Sequence, residues 1–213
     1  MATTDPDTRF EILIQPVHAE AASRNGIRLD MLRLDMTDRV VSGNKWFKLV
    51  CNLKAARAGG YRTLLSFGGP WSNHLLALAA AARESGLASV GMVRGKHAAD
   101  NPSPSLRYCA GIGMQLSFLS REEYALKDDP DFLAQLRREW DNPYIIPQGG
   151  ANSEGREGAG LIAEYIPGDY THICVSVGTG TTLAGLRERL PLAQQITGFA
   201  PMKQGRYLEA IMS

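Results

Sequence analysis

Thr63-Leu64-Leu65-Ser66-Phe67, Gly68-Gly69-Pro70-Trp71, Ser72-Asn73-His74, an Ala/Leu-rich run to Gly86, and Ser89-Val90-Gly91-Met92-Val93 together decide the fold class. The first five residues are a short apolar run closed by turn residues, which predicts a strand. Ser72 or Asn73 supplies a side-chain oxygen that can accept from the free N–H groups of a first helical turn. The Ala/Leu run is therefore a helix, and residues 89–93 are the next strand. Strand, helix and strand in this order make a β-α-β unit with parallel strands and a right-handed crossover.

The pattern continues outward in both directions. Toward the C-terminus the sequence predicts a helix over 103–111, a strand over 114–119, a helix over 131–140 and a strand over 144–146. Gly149-Gly150-Ala151-Asn152-Ser153-Glu154-Gly155 reads as a glycine-rich break before a helix over 158–165. Residues 171–177 read as a buried apolar strand that runs into Gly178-Thr179-Gly180-Thr181-Thr182 and a helix. A strand over 195–200 and a helix starting at 202 follow. Toward the N-terminus, residues 45–58 favour helix, ended by Gly59-Gly60. Residues 10–15 and 27–34 read as strands, with Asn25-Gly26 as a turn signal between them. Alternation of this kind predicts α/β architecture with mainly parallel sheets.

Composition narrows the function classes. The 213 residues carry 23 Lys plus Arg against 22 Asp plus Glu, a net charge of +1. That balance lacks the basic excess of nucleic-acid or anionic-membrane binders. The longest apolar run, residues 75–82, is too short to span a bilayer. The first residues are polar and acidic, without the basic and apolar regions of a secretory signal. Cys51, Cys109 and Cys174 are odd in number and form no metal-binding pair, so a reducing cytoplasm is expected and no metal. His18, His97 and His172 show no ligand spacing. The acids Glu122-Glu123 and Asp128-Asp129 are expected to decorate solvated helix ends and loops.

Three short segments could carry chemistry. Gly178 to Thr182 follows a strand and opens a helix, where backbone N–H groups and the helix dipole favour an anion. Two threonine hydroxyls add donors. The loop lacks the Lys of a P-loop and the third glycine of a dinucleotide fingerprint, so a phosphate held without metal competes with a tight structural turn. Ser72-Asn73-His74 lies at the carboxyl end of a parallel strand, where ligands bind in open α/β sheets. Its competing reading is a helix cap beside a surface histidine. Lys45, between Gly43-Asn44 and Trp46-Phe47, is either a solvated charge or an amine kept dry enough to form a Schiff base. Ser42-x-x-Lys45 matches a penicillin-binding serine signature in form, but neither of that signature's companion motifs is present.

The order of these segments carries more than each alone. Gly43-Asn44-Lys45-x-x-Lys48-Leu49, then Gly-Gly-x-x-Ser72-Asn73-His74, then the Gly178 loop, resembles the pyridoxal-phosphate enzymes that include 1-aminocyclopropane-1-carboxylate deaminase and D-cysteine desulfhydrase. These have the tryptophan synthase β-like fold, fold type II. The resemblance runs from about Leu29 onward. It departs at Ser42, at Phe47 where the family has arginine, and at Leu34-Asp35-Met36-Thr37-Asp38.

The resemblance implies two three-layer α/β/α domains. Residues 1–50 and 149–213 would form the large cofactor-binding domain, and 51–148 the small one. Family members continue past the position of Ser213, so the large domain is expected to be C-terminally incomplete. By the same resemblance, Lys45 would carry pyridoxal 5′-phosphate covalently, and Asn73 would bond its 3′-oxygen. Gly178, Thr179, Gly180, Thr181 and Thr182 would hold its phosphate. Ser72, Asn73 and His74 would meet the carboxylate of a small amino-acid substrate, with Ser72 also catalytic. The implied reaction is elimination from D-cysteine to pyruvate, sulfide and ammonia. The implied alternatives are 1-aminocyclopropane-1-carboxylate deaminase activity or a shortened, non-catalytic protein of the same fold. A homodimer is expected, with no nucleic-acid or membrane partner. A nucleotide-binding α/β protein would rest on the Gly178 loop alone.

Overall fold

The computed structural model describes residues 11–38 and 40–201. Strands β1 (Ile14–Pro16) and β2 (Asp30–Leu32) pair antiparallel, Ile14 opposite Leu32, with helix α1 (Glu20–Arg24) and the Asn25-Gly26 turn between them. Helix α2 (Asn44–Ala58) then leads into a run of β-α-β units. These are β3 (Thr63–Gly68), α3 (Asn73–Glu84), β4 (Ala88–Arg94), α4 (Pro104–Gly111) and β5 (Gln115–Leu119). Helices α5 (Arg121–Ala125) and α6 (Pro130–Glu139) precede β6 (Tyr144–Ile146). The four strands form one parallel sheet in the order β5-β4-β3-β6, as the quoted stretch requires.

Strand periodicity sends successive side chains to opposite faces. Leu64 and Val93 enter one buried cluster with α2, α3 and α4. Leu65, Phe67, Val90 and Met92 enter a second cluster with Tyr124 and Leu136 from α5 and α6. The sheet is thus the middle of three layers. Each fully buried Leu or Phe contributes about 1.5–3 kcal/mol, which explains why apolar runs with no polar alternation form these central strands. Ser120 and Glu123 close a reciprocal capping box at the start of α5, so one of the paired surface acids has a structural partner.

Helix α7 (Ser153–Gly160) and a 3-10 turn (Leu161–Tyr165) follow, then β7 (His172–Ser176), α8 (Thr181–Arg189) and β8 (Gln195–Phe199). Strands β7 and β8 pair in parallel. Two elements differ from expectation. The helix expected from residue 158 begins at Ser153, inside the glycine-rich segment read as a break. Strand β7 is not continuously buried: Ile173 and Val175 are half-buried, whereas His172, Cys174 and Ser176 are exposed. One face packs on the helices and, among the described residues, the other has no covering layer. The helix expected from residue 202 lies outside the described residues, as does the first residue of the strand expected over 10–15.

Candidate active site

Lys45 and Lys48 are three residues apart near the N-terminus of α2 and therefore share a helix face. Asn44 orients the first of them: its side-chain carbonyl accepts from Lys45 Nζ at 2.9 Å, and its amide donates to Thr182 Oγ1 at 2.9 Å. The opposite wall is the loop between β7 and α8. Gly180 caps α8 in the left-handed conformation, φ 77°, which the absence of a Cβ permits. Thr179 and Thr181 share a hydroxyl hydrogen bond of 2.8 Å. Lys48 Nζ reaches across to the Gly149 carbonyl at 3.1 Å and to Thr179 Oγ1 at 3.3 Å.

Lys45, Lys48, Gly178, Thr179, Gly180 and Thr182 thus line one cavity of about 340 Å³, within the size range of small-molecule sites. The Thr181 side chain is buried beside it. No carboxylate side chain is among the described residues that line it. Burial lowers the Lys45 pKa. Lys48 is only 3% exposed, and burial together with the neighbouring Lys45 charge brings its pKa down to about 7. A buried amine beside a half-buried one, with no acid among the described residues lining the cavity to pair them, favours an anion or loss of a proton. A second, larger cavity of about 430 Å³ lies between β2 and β7; its walls are mainly apolar and it holds neither lysine.

Ser72, Asn73 and His74 open α3 at the carboxyl end of β3 and do not line the lysine cavity. Ser72 is the N-cap and accepts from the Leu75 N–H at 3.2 Å. Asn73 is exposed. His74 is buried, with its Nε2 2.9 Å from Ser66 Oγ, and Ser66 Oγ donates to the Ile146 carbonyl at 2.7 Å. Because the Ser66 hydroxyl proton is spent on that carbonyl, His74 must donate from Nε2. Its buried Nδ1 then carries no proton and has no partner among the described residues. His74 lies against the cavity wall: a Cβ placed on Gly150 would sit 3.2 Å from Lys48 Cβ and 3.9 Å from His74 Cε1.

Burial, then the charges of Lys45 and Lys48, push the His74 pKa down to about 3. An unfolded histidine protonates near 6.5, so between about pH 6.5 and 3 the unfolded chain binds the extra proton and acid destabilises the fold. At pH 5 the loss from this group should be about 2 kcal/mol relative to pH 7. Thermal unfolding of wild type and His74→Gln across this range tests it: the wild-type acid slope should flatten in the variant, and equal slopes would reject the assignment.

The structure brings Lys45 together with the glycine-threonine loop, both singled out in the sequence, and adds Lys48, Ser66 and Gly149, which the sequence reading named but gave no role. The i, i+3 spacing of the two lysines was the available signal for Lys48. Nothing local marked Ser66, which acquires its role only when β3, β6 and α3 meet.

The chain belongs to the pyridoxal-phosphate dependent enzyme family, whose sequence model matches residues 20–196. Pyridoxal phosphate is the cofactor of that family. The chain is 32% identical over 188 residues to the mitochondrial bifunctional D-cysteine desulfhydrase/1-aminocyclopropane-1-carboxylate deaminase of Arabidopsis thaliana, covering 76% of this chain and 45% of that protein. It is 30% identical over 185 residues to a Pyrococcus horikoshii protein provisionally named 1-aminocyclopropane-1-carboxylate deaminase, covering 85% and 57%. The chain therefore spans about half the length of these relatives. A crystal structure of a homologue of that deaminase superposes with a TM-score of 0.79 at 27% identity, covering 95% of this chain and 64% of that one. The fold is that of the tryptophan synthase β-like pyridoxal-phosphate enzymes. Among the described residues no group of side chains could hold a metal ion, and no helix is long and apolar enough to cross a membrane.

Proposed function

We propose that the lysine cavity holds pyridoxal phosphate and that the chain belongs to a lyase or deaminase of small amino acids, most like D-cysteine desulfhydrase. The observation that carries this reading is the cavity itself, in which Lys45 faces the Gly178–Thr182 loop with no competing carboxylate. The residues fit the cofactor. Lys45 would bind its carbonyl end, and the loop at the N-terminus of α8 would grip its phosphate. When bound, the cofactor supplies an electron sink for charge developing at the substrate α-carbon.

The remaining work falls to the chain. Lys45, whose protonated form is disfavoured by burial, is the base that removes the α-proton. The N–H groups of Asn73 and His74, at the first turn of α3, have no acceptor within the helix and suit a substrate carboxylate. The His74 ring, engaged with Ser66, is not needed for that contact. Asn73 is also assigned the cofactor 3′-oxygen, and Ser72 a catalytic role beside the carboxylate. Residues 1–50 and 149–213 are assigned to the cofactor domain and 51–148 to the smaller domain.

Deamination of 1-aminocyclopropane-1-carboxylate is the second reading, favoured by the names of the relatives. The two separate cleanly, because only D-cysteine can release sulfide. Purified protein supplied with pyridoxal phosphate should release sulfide and keto acid from D-cysteine. Keto acid from the cyclopropane substrate alone would favour the second reading, and none from either would reject both.

A further inference from the structure

We propose that anion capture in the Lys45–Lys48 cavity is linked to proton uptake: a dianion entering beside Thr179 is matched by a proton that Lys48 takes from solvent. The proposal rests on the reading that this cavity grips a phosphate, and deepens it by assigning Lys48 the task of adjusting its charge to the occupant.

Lys48 sits among neutral acceptors and a like charge. Its Nζ touches a carbonyl and a hydroxyl, which can accept from an ammonium without neutralising it. From α2 itself the facing charge is Lys45, of the same sign. From α3 it is His74, whose burial disfavours its charged form. The Gly149–Gly150 turn and the Thr179–Thr182 segment bring no titratable side chain. The acids of α7 act elsewhere, since Glu154 and Glu157 act on Cys51, one turn further along α2. Every titratable neighbour therefore disfavours or ignores a positive charge on Lys48, and burial together with the Lys45 charge outweighs the two neutral acceptors to give a pKa of about 7.

A dianion at the loop reverses this balance. Opposite charges a few ångströms apart in a partly enclosed cavity favour the ammonium form. The step is simple: the neutral amine gains one proton from solvent as the anion enters, with no other bond changed. Above pH 7 the free protein has mostly lost that proton, so affinity should fall by up to about tenfold per pH unit as pH rises from 7.5 to 9.

Sulfate is a suitable probe because it remains a dianion across this range. Titration calorimetry at pH 8 in two buffers of different ionisation enthalpy should give heats that differ. The difference should correspond to uptake of between about half and one proton per sulfate. Lys48→Arg, whose charge is fixed, should bind sulfate with buffer-independent heat and a flat pH profile. Lys45→Met removes the smaller of the two causes of the lowered Lys48 pKa and should keep a reduced but measurable uptake. The two-buffer comparison on the wild-type protein stands even if a variant does not fold. Intact sulfate binding with buffer-independent heat would overturn the proton linkage alone. Uptake lost in Lys45→Met but kept in Lys48→Arg would overturn the assignment to Lys48. No sulfate binding at all would remove the phosphate reading of the cavity and this inference with it.

Discussion

Lys45→Ala should abolish the borohydride-stable adduct with pyridoxal phosphate and lower keto-acid release by at least 10²–10⁴-fold, roughly the share of a positioned base. The expectation follows from position as much as from residue type. Lys45 opens α2, is held by Asn44, and shares the cavity with the loop proposed to take the phosphate. Lys48 is the alternative amine in the same cavity. Peptide mapping after reduction distinguishes the two, because each lysine lies at its own place in a digest. Label on Lys45 in the wild type and none in the variant is the expected result. A variant with undiminished adduct, or wild-type label confined to Lys48, would refute the assignment. The test does not depend on turnover, so it holds for a chain spanning about half the length of its relatives.

Gly158→Ala should be strongly destabilising although it lies outside the cavity. A Cβ at Gly158 would sit 2.0 Å from the carbonyl oxygen of Phe47, which belongs to the backbone of α2. No rotamer relieves such a clash, so two helices must separate. Overpacking against backbone costs about 3 kcal/mol or more, which in a chain of this size lowers Tm by roughly 6–12 °C. The intrinsic preference of alanine over glycine in helices, about 1 kcal/mol, works the other way and is outweighed. Differential scanning calorimetry gives the answer directly. A Tm equal to or above wild type would mean that α2 and α7 are not in backbone contact.

The same glycines explain where sequence reading succeeded and where it stopped. The β-α-β units were legible because their signals are local: apolar runs, turn residues and the Ser72 cap. Residues 149–155 carry local signals that point the other way, since glycine disfavours an isolated helix. Yet Gly155, Gly158 and Gly160 are needed because α7 lies so close to its neighbours, and only packing reveals that. For β7 the reading of a continuous apolar run passed over His172 and Ser176, whose alternation with Ile173, Val175 and Val177 matches the one-sided burial. In the candidate site, Lys45 and the threonine loop announced themselves through helix-start and loop chemistry. His74 was legible as a residue of interest, yet the state of its ring is set by Ser66 and by a carbonyl 72 positions further along the chain from His74, at Ile146.

The glycine-rich helix α7 has one more consequence. On one flank α7 meets α2 at Gly158, and on the other it meets α8, where a Cβ on Gly185 would lie 2.3 Å from the Arg156 carbonyl oxygen. Helix α2 bears the amine proposed to bind the cofactor, and α8 follows the loop proposed to take its phosphate. The gap between them is therefore gauged by peptide groups rather than by interchangeable side chains. Drift in the surrounding hydrophobic residues can alter stability while leaving that spacing untouched, so the reach from amine to anion should outlast much of the sequence that encloses it.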